Sequence, residues 1–337
     1  MRTLKSNMAI PHALRALIHE RRHLSEQETE LAMQAILEGR ATDAEIAAFL
    51  VALHLKGETA QELTGAARAL RGAANSLPES TLPLLDTCGT GGDLSGTFNI
   101  STIAALVAAG AGLRVAKHGN RSLSSLCGSA DLLEGLGVDL AHASTTLTSH
   151  GIAFFFAPLF HGATRYVQPV RKQLKMRTLF NYLGPLTNPA GANIQIAGAF
   201  SIAAAGLIAE TLNRLGLKRG FVIHGDDGLD EVTTTTSTQA FEIRDGTVTP
   251  LRLAPEDFEL PRANTGSLVG GSIAQNCLIT ESILNGDAGP KREIVLANAA
   301  LALYAAGIAT TLPEGVALAA RSIDTGLALA KLQALRR

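Results

Sequence analysis

The first 80 residues show the hydrophobic periodicity of amphipathic helices. After Thr42, apolar side chains recur at Ile46, Phe49, Leu50 and Leu53, a spacing that places them on one helical face. Three pairs match the capping-box spacing of helix starts, namely Ser25 with Glu28, Thr42 with Glu45 and Thr59 with Glu62. The pattern predicts a module of three helices with short connections, which serves as scaffold and packing surface and holds no catalytic cluster.

From about residue 82 the pattern changes to short apolar runs that alternate with helical segments, which predicts an α/β domain. Strand-like runs stand before Asp86 and cover 113–116, 151–158, 195–201 and 219–224. Helical patterns cover 161–174, with an interruption or bend at Pro169, then 203–215, 291–309 and 313–335. Residues 239–243 and 247–250 flank an Asp245-Gly246 turn and predict a hairpin. The last helices are assigned to packing, including the Asn298-Ala299-Ala300 sequence within them.

Composition narrows the class of protein. With 46% hydrophobic and 18% charged residues, the 337-residue chain can bury a sizeable core, and its length suits two domains or one large domain with a smaller partner. A formal net charge of −1 gives no global electrostatic reason to expect nucleic-acid binding. The three cysteines, Cys88, Cys127 and Cys277, are isolated, which argues against a disulfide framework or a structural zinc site. No apolar run is long enough to span a membrane, so we expect a soluble, cytoplasmic protein without a membrane or nucleic-acid partner.

Two polar loops in the stretch 86–134 are suited to anions. In the first, Gly89, Gly91 and Gly92 remove side chains that would keep a phosphate oxygen away from backbone N–H groups. The second, residues 117–125, combines serine hydroxyls with a lysine and an arginine. Each loop follows a strand-like run, so the two together indicate an anion site more strongly than one glycine-rich turn would.

Helices are predicted to begin after both loops, at about Asn99 and Gly128, where free amides and the helix dipole favour negative charge. The loops match neither GxGxxG nor GxxxxGK[ST], which points away from dinucleotides and ATP and towards a phosphorylated sugar. Asp93 is the exception among these groups, since a carboxylate suits sugar hydroxyls or a cation. The residues alone leave open that both loops are only tight turns.

An acidic cluster follows the predicted strand 219–224 and comprises Asp226, Asp227, Asp230 and Glu231. The carboxyl ends of strands are where α/β sheets bind ligands. Carboxylates this close repel one another unless a cation compensates, and Mg²⁺ is the natural candidate. An acidic surface turn is an equally good interpretation of the sequence alone.

Four cations lie in or just after segment 161–174, namely Arg165, Arg171, Lys172 and Arg177. They form either a solvated helix face or a site for an acidic substrate. Taken alone, the residues favour the solvated face.

Several ordered motifs resemble those of the anthranilate phosphoribosyltransferase family. They are GTGGD from residue 89, NIST from residue 99, KHGNRSLSSLCGSADLLE from residue 117 and RTLFNYLGPLTNP from residue 177. The resemblance covers about residues 25–310. It implies a small all-helical domain plus a larger α/β domain with a central, mostly parallel sheet flanked by helices. It also implies transfer of the phosphoribosyl group of 5-phosphoribosyl 1-diphosphate (PRPP) to the amine of anthranilate in tryptophan biosynthesis, giving N-(5′-phosphoribosyl)anthranilate and diphosphate.

The resemblance also implies a division of the chain and a partner. Residues 1–80 with about 162–190 would form the helical domain, and this domain would carry the contact of a homodimer. Residues 81–161 with about 191–337 would form the α/β domain and carry the PRPP site. The active site would lie in the cleft between the two domains.

The site residues follow by resemblance from the same motifs. Residues expected to bind PRPP are Gly89, Gly92, Asp93, Thr97, Asn99, Ser101, Thr102, Lys117, His118, Gly119, Asn120, Arg121, Ser122, Ser124, Ser125 and Ser129. Those expected to bind anthranilate are Gly89, Asn120 and Arg171, and Arg171 would hold the carboxylate because its planar fork suits a bidentate contact. Metal ligands would be Ser101, Asp230 and Glu231, with two Mg²⁺ ions. His118 and His161 would line the path of anthranilate, and no residue is assigned an acid or base role.

Three residues depart from the family pattern: Leu94 and Lys175 stand where glycine is usual, and Thr164 where methionine is common. We expect them to affect the kinetic constants of the reaction more than its type.

Two other functions are possible for such a sequence. A pyrimidine nucleoside phosphorylase needs no diphosphate-binding Mg²⁺ site, so the Asp230-Glu231 pair and the GTGGD motif favour the transferase. A non-enzymatic nucleic-acid-binding relative should show a basic groove and degraded loops, whereas here the charge is balanced and both loops are intact.

Overall fold

The computed structural model describes residues 8–77, 82–92, 95–122 and 126–336. Its N-terminal helices are α1 (Ala9–Leu14, continued by a π-helical turn at Arg15–His19), α2 (Glu26–Leu37), α3 (Asp43–Lys56) and α4 (Ala60–Gly72). All three predicted capping boxes are formed, at the starts of α2, α3 and α4. The prediction of three helices missed α1, which lies before the first capping signal.

A seven-stranded sheet forms the centre of the rest of the chain. The strands are β1 (Leu85–Gly89), β2 (Val115–Gly119), β3 (Ile152–Phe156), β4 (Ile194–Gly198), β5 (Arg219–Gly225), β6 (Thr238–Arg244) and β7 (Thr247–Leu253). Their order is β3-β2-β1-β4-β5-β6-β7. The first five strands run parallel, and the predicted hairpin β6–β7 adds two antiparallel strands at one edge.

Helices cover the sheet and fill the segment between β3 and β4. They are α5 (Ile100–Gly110), α6 (Ser129–Gly135), α7 (Ala143–His150), α8 (Ala157–Phe160), α9 (Gln168–Leu174), α10 (Phe180–Leu183), α11 (Ile202–Arg214), α12 (Ile273–Leu284), α13 (Pro290–Ala305), α14 (Leu312–Asp324) and α15 (Leu327–Leu335). Short 3-10 turns lie at Gly162–Tyr166, Gly184–Leu186, Pro255–Phe258 and Thr265–Leu268. None of the helices in the described ranges is both long and apolar enough to cross a membrane.

Two of the predicted helices are divided differently in the structure. The segment 161–174 is not one bent helix, because Pro169 occupies the first turn of α9 after a separate 3-10 turn. Proline suits that place since the first turn needs no donor from its nitrogen. The segment 313–335 is two helices, separated where Gly326 adopts a φ of +76°.

The sheet order places a topological switch between β1 and β4. The chain builds outward from β1 through β2 to β3, then returns to place β4 on the other side of β1. The loops after β1 and β4 therefore diverge and leave a crevice at the carboxyl ends of these strands, where open α/β sheets bind ligands. A large buried cluster packs α5 and α13 against the sheet, and a second packs α1–α4 with α9–α11.

Candidate active site

One cavity of about 1060 Å³ opens at this crevice and is lined by both predicted anion loops, the acidic turn and α9. It brings together the predicted site residues that the structure describes, which are Gly89, Gly92, Thr97, Asn99, Ser101, Thr102, Lys117, His118, Gly119, Asn120, Arg121, Ser122, Ser129, Arg171, Asp230 and Glu231. Asp93, Leu94, Ser124 and Ser125 lie outside the described residues. Segments far apart in the sequence therefore converge on one space.

Glycines at the ends of β1 and β4 make room for Asp230. Gly89 and Gly198 are partners across the parallel pair. A Cβ on Gly198 would lie 1.7 Å from the Asp230 carbonyl oxygen, and one on Gly89 would lie 2.8 Å from its Oδ2. A side chain at Gly198 would clash with the backbone of the acidic turn, and one at Gly89 would displace the Asp230 carboxylate. The two glycines therefore serve packing as well as anion access.

The first loop is tied to both sides of the cavity. The Gly91 N–H donates to Asp230 Oδ2 at 3.0 Å. From the helical side, Arg177 Nη2 donates to the Gly92 carbonyl at 2.8 Å, and its guanidinium lies 4.3 Å from the centre of the Phe200 ring. Arg177 thus holds the loop in place.

The start of α5 faces the second member of the acidic pair. Asn99 is the N-cap, as the sequence predicts, and the Ser101 N–H donates to Glu231 Oε1 at 3.0 Å. Buried Lys117 donates from Nζ to the Thr87 carbonyl and lies 3.4 Å from Ser101 Oγ. Lys117, the Ser101 hydroxyl and the amides at the start of α5 therefore lie beside the two carboxylates. Such a mixture of groups suits a ligand that carries both negative and positive charge.

Asp230 and Glu231 sit at the cavity wall, with Glu231 half-buried. Burial, and then the neighbouring charge of Asp230, raise the pKa of Glu231 above its usual range. Two close carboxylates of this kind would be stabilised by a cation. Asp226 and Asp227 do not join them, because Asp226 pairs with Arg252 and Gln239 on the surface while Asp227 accepts from the hydroxyls of Thr233 and Thr235.

In the second loop, the predicted phosphate-binding residue Arg121 contacts acidic and aromatic side chains of the protein itself. Arg121 makes ion pairs with Asp131 and Glu134 at 2.9 and 2.5 Å and stacks over the Phe156 ring. Gly128 is the N-cap of α6, as predicted. In this conformation Arg121 braces the loop, and a phosphate contact would compete with two carboxylates.

His118 and His161 pack edge to face with ring centres 5.2 Å apart. Burial lowers the pKa of His118 to about 3 and also lowers that of His161, so both rings are neutral at pH 7. His118 Nδ1 lies 3.1 Å from the Gly184 carbonyl, which can only accept, so Nδ1 carries the proton. The pair supplies a buried, uncharged part of the cavity wall.

Arg171 projects from α9 at the other side of the cavity, with its guanidinium 5.2 Å from the centre of the Phe180 ring. Burial lowers its pKa, and among the described residues no neighbouring charge contributes to that shift. A partly desolvated guanidinium beside an aromatic ring is suited to a planar carboxylate. By contrast, neighbouring Lys172 is exposed and does not line the cavity.

Three further residues shape the cavity without having been predicted to do so. Buried Asn276 donates to Asn99 Oδ1 and accepts from the Gly271 N–H. Gly270 packs so closely on Phe98 that a Cβ would lie 2.6 Å from its backbone nitrogen. Asn298 also lines the cavity, although its segment was assigned to packing. The Gly-Gly pair is a turn signal, but nothing local to the sequence shows that this turn docks on the first loop.

Comparison with known proteins places these features in context. Family models match two regions, described as the glycosyl transferase family helical bundle domain, over residues 11–74, and the glycosyl transferase family a/b domain, over residues 81–329. The chain is 54% identical over 332 residues to the anthranilate phosphoribosyltransferase of Solibacter usitatus, with 97% of each chain covered. It is 52% identical over 317 residues to that of Moorella thermoacetica, covering 93% of this chain and 94% of the relative.

Solved structures agree with the sequence relatives. The anthranilate phosphoribosyltransferase of Thermus thermophilus superposes with a TM-score of 0.91 at 42% identity, covering 98% of this chain and 99% of the other. That of Saccharomyces cerevisiae, in complex with PRPP and Mg, gives a TM-score of 0.89 at 28% identity, with 97% and 96% covered. The yeast protein in complex with 4-fluoroanthranilate gives 0.87 at 27% identity, with 98% and 97% covered.

Proposed function

Because this chain belongs to the anthranilate phosphoribosyltransferase family, it is an enzyme that transfers the phosphoribosyl group of PRPP to anthranilate in tryptophan biosynthesis, and we propose that the cavity at the β1–β4 crevice is its active site. The observation that carries the proposal is the convergence of one carboxylate pair, two helix N-termini and one partly desolvated arginine on a single space. PRPP is polyanionic and anthranilate is a carboxylate, so both substrates find complementary groups there.

Binding and positioning supply the catalysis in this proposal. The amides of the first loop and of the α5 start, with Lys117, hold the phosphorylated groups and stabilise the negative charge that leaves with diphosphate. Arg171 orients anthranilate by its carboxylate, so that the neutral amine approaches the sugar carbon without a general base. The neutral pair His118 and His161 lines the acceptor side of the cavity without adding charge there. Asn120 and Gly89 lie at the same cavity and complete the anthranilate contact.

Magnesium suits the donor set of the cavity. Asp230, Glu231 and the Ser101 hydroxyl offer hard oxygens, and the raised pKa of Glu231 marks a carboxylate pair that a cation would relieve. In the described part of the chain, no cluster of three or more His, Cys, Asp or Glu residues could hold a metal, so we propose that substrate oxygens and water complete the shell. When bound, Mg²⁺ would neutralise charge on the diphosphate, with Ser101 serving at a second ion.

Loss of anthranilate fluorescence in the presence of PRPP and Mg²⁺ tests the function directly. Asp230→Asn combined with Glu231→Gln should lower turnover more than about a hundredfold and remove its Mg²⁺ dependence. Asp226→Asn is the matched control, because this carboxylate lies in the same turn but pairs with Arg252 outside the cavity. Full activity of the double variant at low Mg²⁺ would contradict the metal assignment.

The division into domains and the assembly are also proposals. We assign residues 1–80 with about 162–190 to the helical domain, because α9 and α10 pack with α1–α4 in one buried cluster, and α11 of the α/β domain covers the same cluster. Residues 81–161 with about 191–337 form the α/β domain. Met8, Ile18 and Leu55 are 56%, 51% and 80% exposed on the helical side, and burial of such side chains against a second copy would give an isologous homodimer. Three free cysteines suit a reducing cytoplasm.

A further inference from the structure

Asn298 makes an unusual set of contacts for a residue in the middle of a buried helix. It is 3% exposed on α13. Its Oδ1 accepts from the Val232 N–H at 2.9 Å, and its Nδ2 donates to the Val232 carbonyl, also at 2.9 Å. Nδ2 donates further to the Ile294 carbonyl one turn earlier, at 2.9 Å. One side-chain amide therefore takes the place of a neighbouring strand for both backbone groups of Val232.

Val232 immediately follows the carboxylate pair. The chain has left β5 at Gly225 and does not pair again until β6 begins at Thr238, so this turn has no sheet ladder to fix it. The direction of the Glu231 side chain depends on the backbone angles of its own turn. On the C-terminal side of the turn, the hydrogen bonds between Asn298 and the Val232 backbone constrain those angles. On the near side the Asp230 carbonyl packs on Gly198.

We propose that Asn298 is a positioning residue that aims Asp230 and Glu231 at the metal. This inference rests on the proposed function, because it takes the carboxylate pair to be the Mg²⁺ ligands. Asn298 acts through the backbone of Val232, which distinguishes it from a ligand. Groups that orient metal ligands from behind typically change metal affinity 10- to 100-fold when they are removed.

Asn298→Ala should therefore raise the Mg²⁺ concentration required for half-maximal PRPP binding by about 10- to 100-fold, with activity recovering as Mg²⁺ is raised. Asn298→Ser is the milder variant if the alanine protein fails to fold. A serine hydroxyl can bond to the Ile294 carbonyl one turn back and yet cannot reach both groups of Val232. Both variants should show the same displaced Mg²⁺ dependence.

Asn193 supplies a matched control. Its amide also clamps backbone, accepting from the Leu84 N–H at 2.9 Å and donating to the Leu82 carbonyl at 3.2 Å, but it does not line the cavity. Asn193→Ala should lower thermal stability and leave the Mg²⁺ dependence unchanged. Calorimetric titration of PRPP at several Mg²⁺ concentrations reads out binding without turnover.

The outcomes separate the inference from the function on which it rests. A shifted Mg²⁺ dependence in the Asn298 variants but not in Asn193→Ala supports the positioning role. Lower stability with unchanged Mg²⁺ dependence overturns it in favour of packing. Weaker PRPP binding that persists at saturating Mg²⁺ also overturns it, since it would indicate direct contact with substrate. If Asp230→Asn with Glu231→Gln leaves the Mg²⁺ dependence intact, the metal assignment itself fails, and the positioning role with it.

Discussion

Replacement of Arg171 by alanine tests the acceptor side of the cavity. The guanidinium is partly desolvated, lies beside Phe180, and has no neighbouring charge in the described residues that contributes to its lowered pKa. If it binds the anthranilate carboxylate, its removal eliminates a charge-assisted contact while breaking no ion pair within the described part of the chain. The loss should therefore appear in substrate binding and not in folding.

The size of the effect follows from the kind of contact. A hydrogen bond to a charged group contributes about 1.5–3 kcal/mol, which corresponds to about a ten- to hundredfold fall in kcat/KM for anthranilate. The KM for PRPP should hardly change, because the groups that we propose to bind phosphate lie on the loops after β1 and β2. Arg171→Lys should recover only part of the loss, since an ammonium lacks the planar fork.

Steady-state fluorescence kinetics with each substrate varied in turn provide the measurement. Lys172→Ala is the control, because it removes a cation from the same helix on the exposed side. Two results would refute the reasoning. An unchanged KM for anthranilate would indicate that Arg171 only forms part of a solvated helix face. A raised KM for PRPP with unchanged anthranilate binding would indicate that Arg171 belongs to the phosphate site.

Three further predictions concern stability, pH and assembly. The pKa of His118 is lowered from 6.5 to about 3 in the folded protein, so the unfolded chain binds an extra proton between these values and unfolding free energy falls as pH falls through that window. His118→Gln should reduce the slope of unfolding free energy with pH by up to about 1.4 kcal/mol per pH unit, measured by urea titration, and an unchanged slope would contradict this. Lys175 ends α9 with a φ of +50°, so Lys175→Gly should raise unfolding free energy by about 0.5–1 kcal/mol, whereas Lys172→Gly within α9 should lower it by about 1 kcal/mol. Sedimentation at micromolar concentration should give a dimer that Leu55→Glu weakens, and a monomer near 35 kDa for the unchanged chain would count against the assembly proposed above.

The sequence by itself determined the local elements and the chemistry of the loops. Local features depend on residues close together in the chain, so the spacing of those residues predicts them. Such features are the capping boxes, the starts of α5 and α6 at Asn99 and Gly128, and the β6–β7 hairpin. Motif resemblance then identified the family. It located the acidic pair and the arginine, but it could not measure the distances between them.

Tertiary structure decided how those pieces meet. Gly198 is ordinary in the sequence and becomes necessary only because β4 pairs with β1 and the acidic turn packs across both. Arg121 carries a charge suited to phosphate, yet its partners Asp131 and Glu134 come from α6. Asn298 lies 66 residues from Val232, and the hydrophobic periodicity of a sequence does not predict a contact between residues so far apart. Long-range contacts of this kind are set by the sheet order and by close packing of the core, which are properties of the whole chain and not of any local segment.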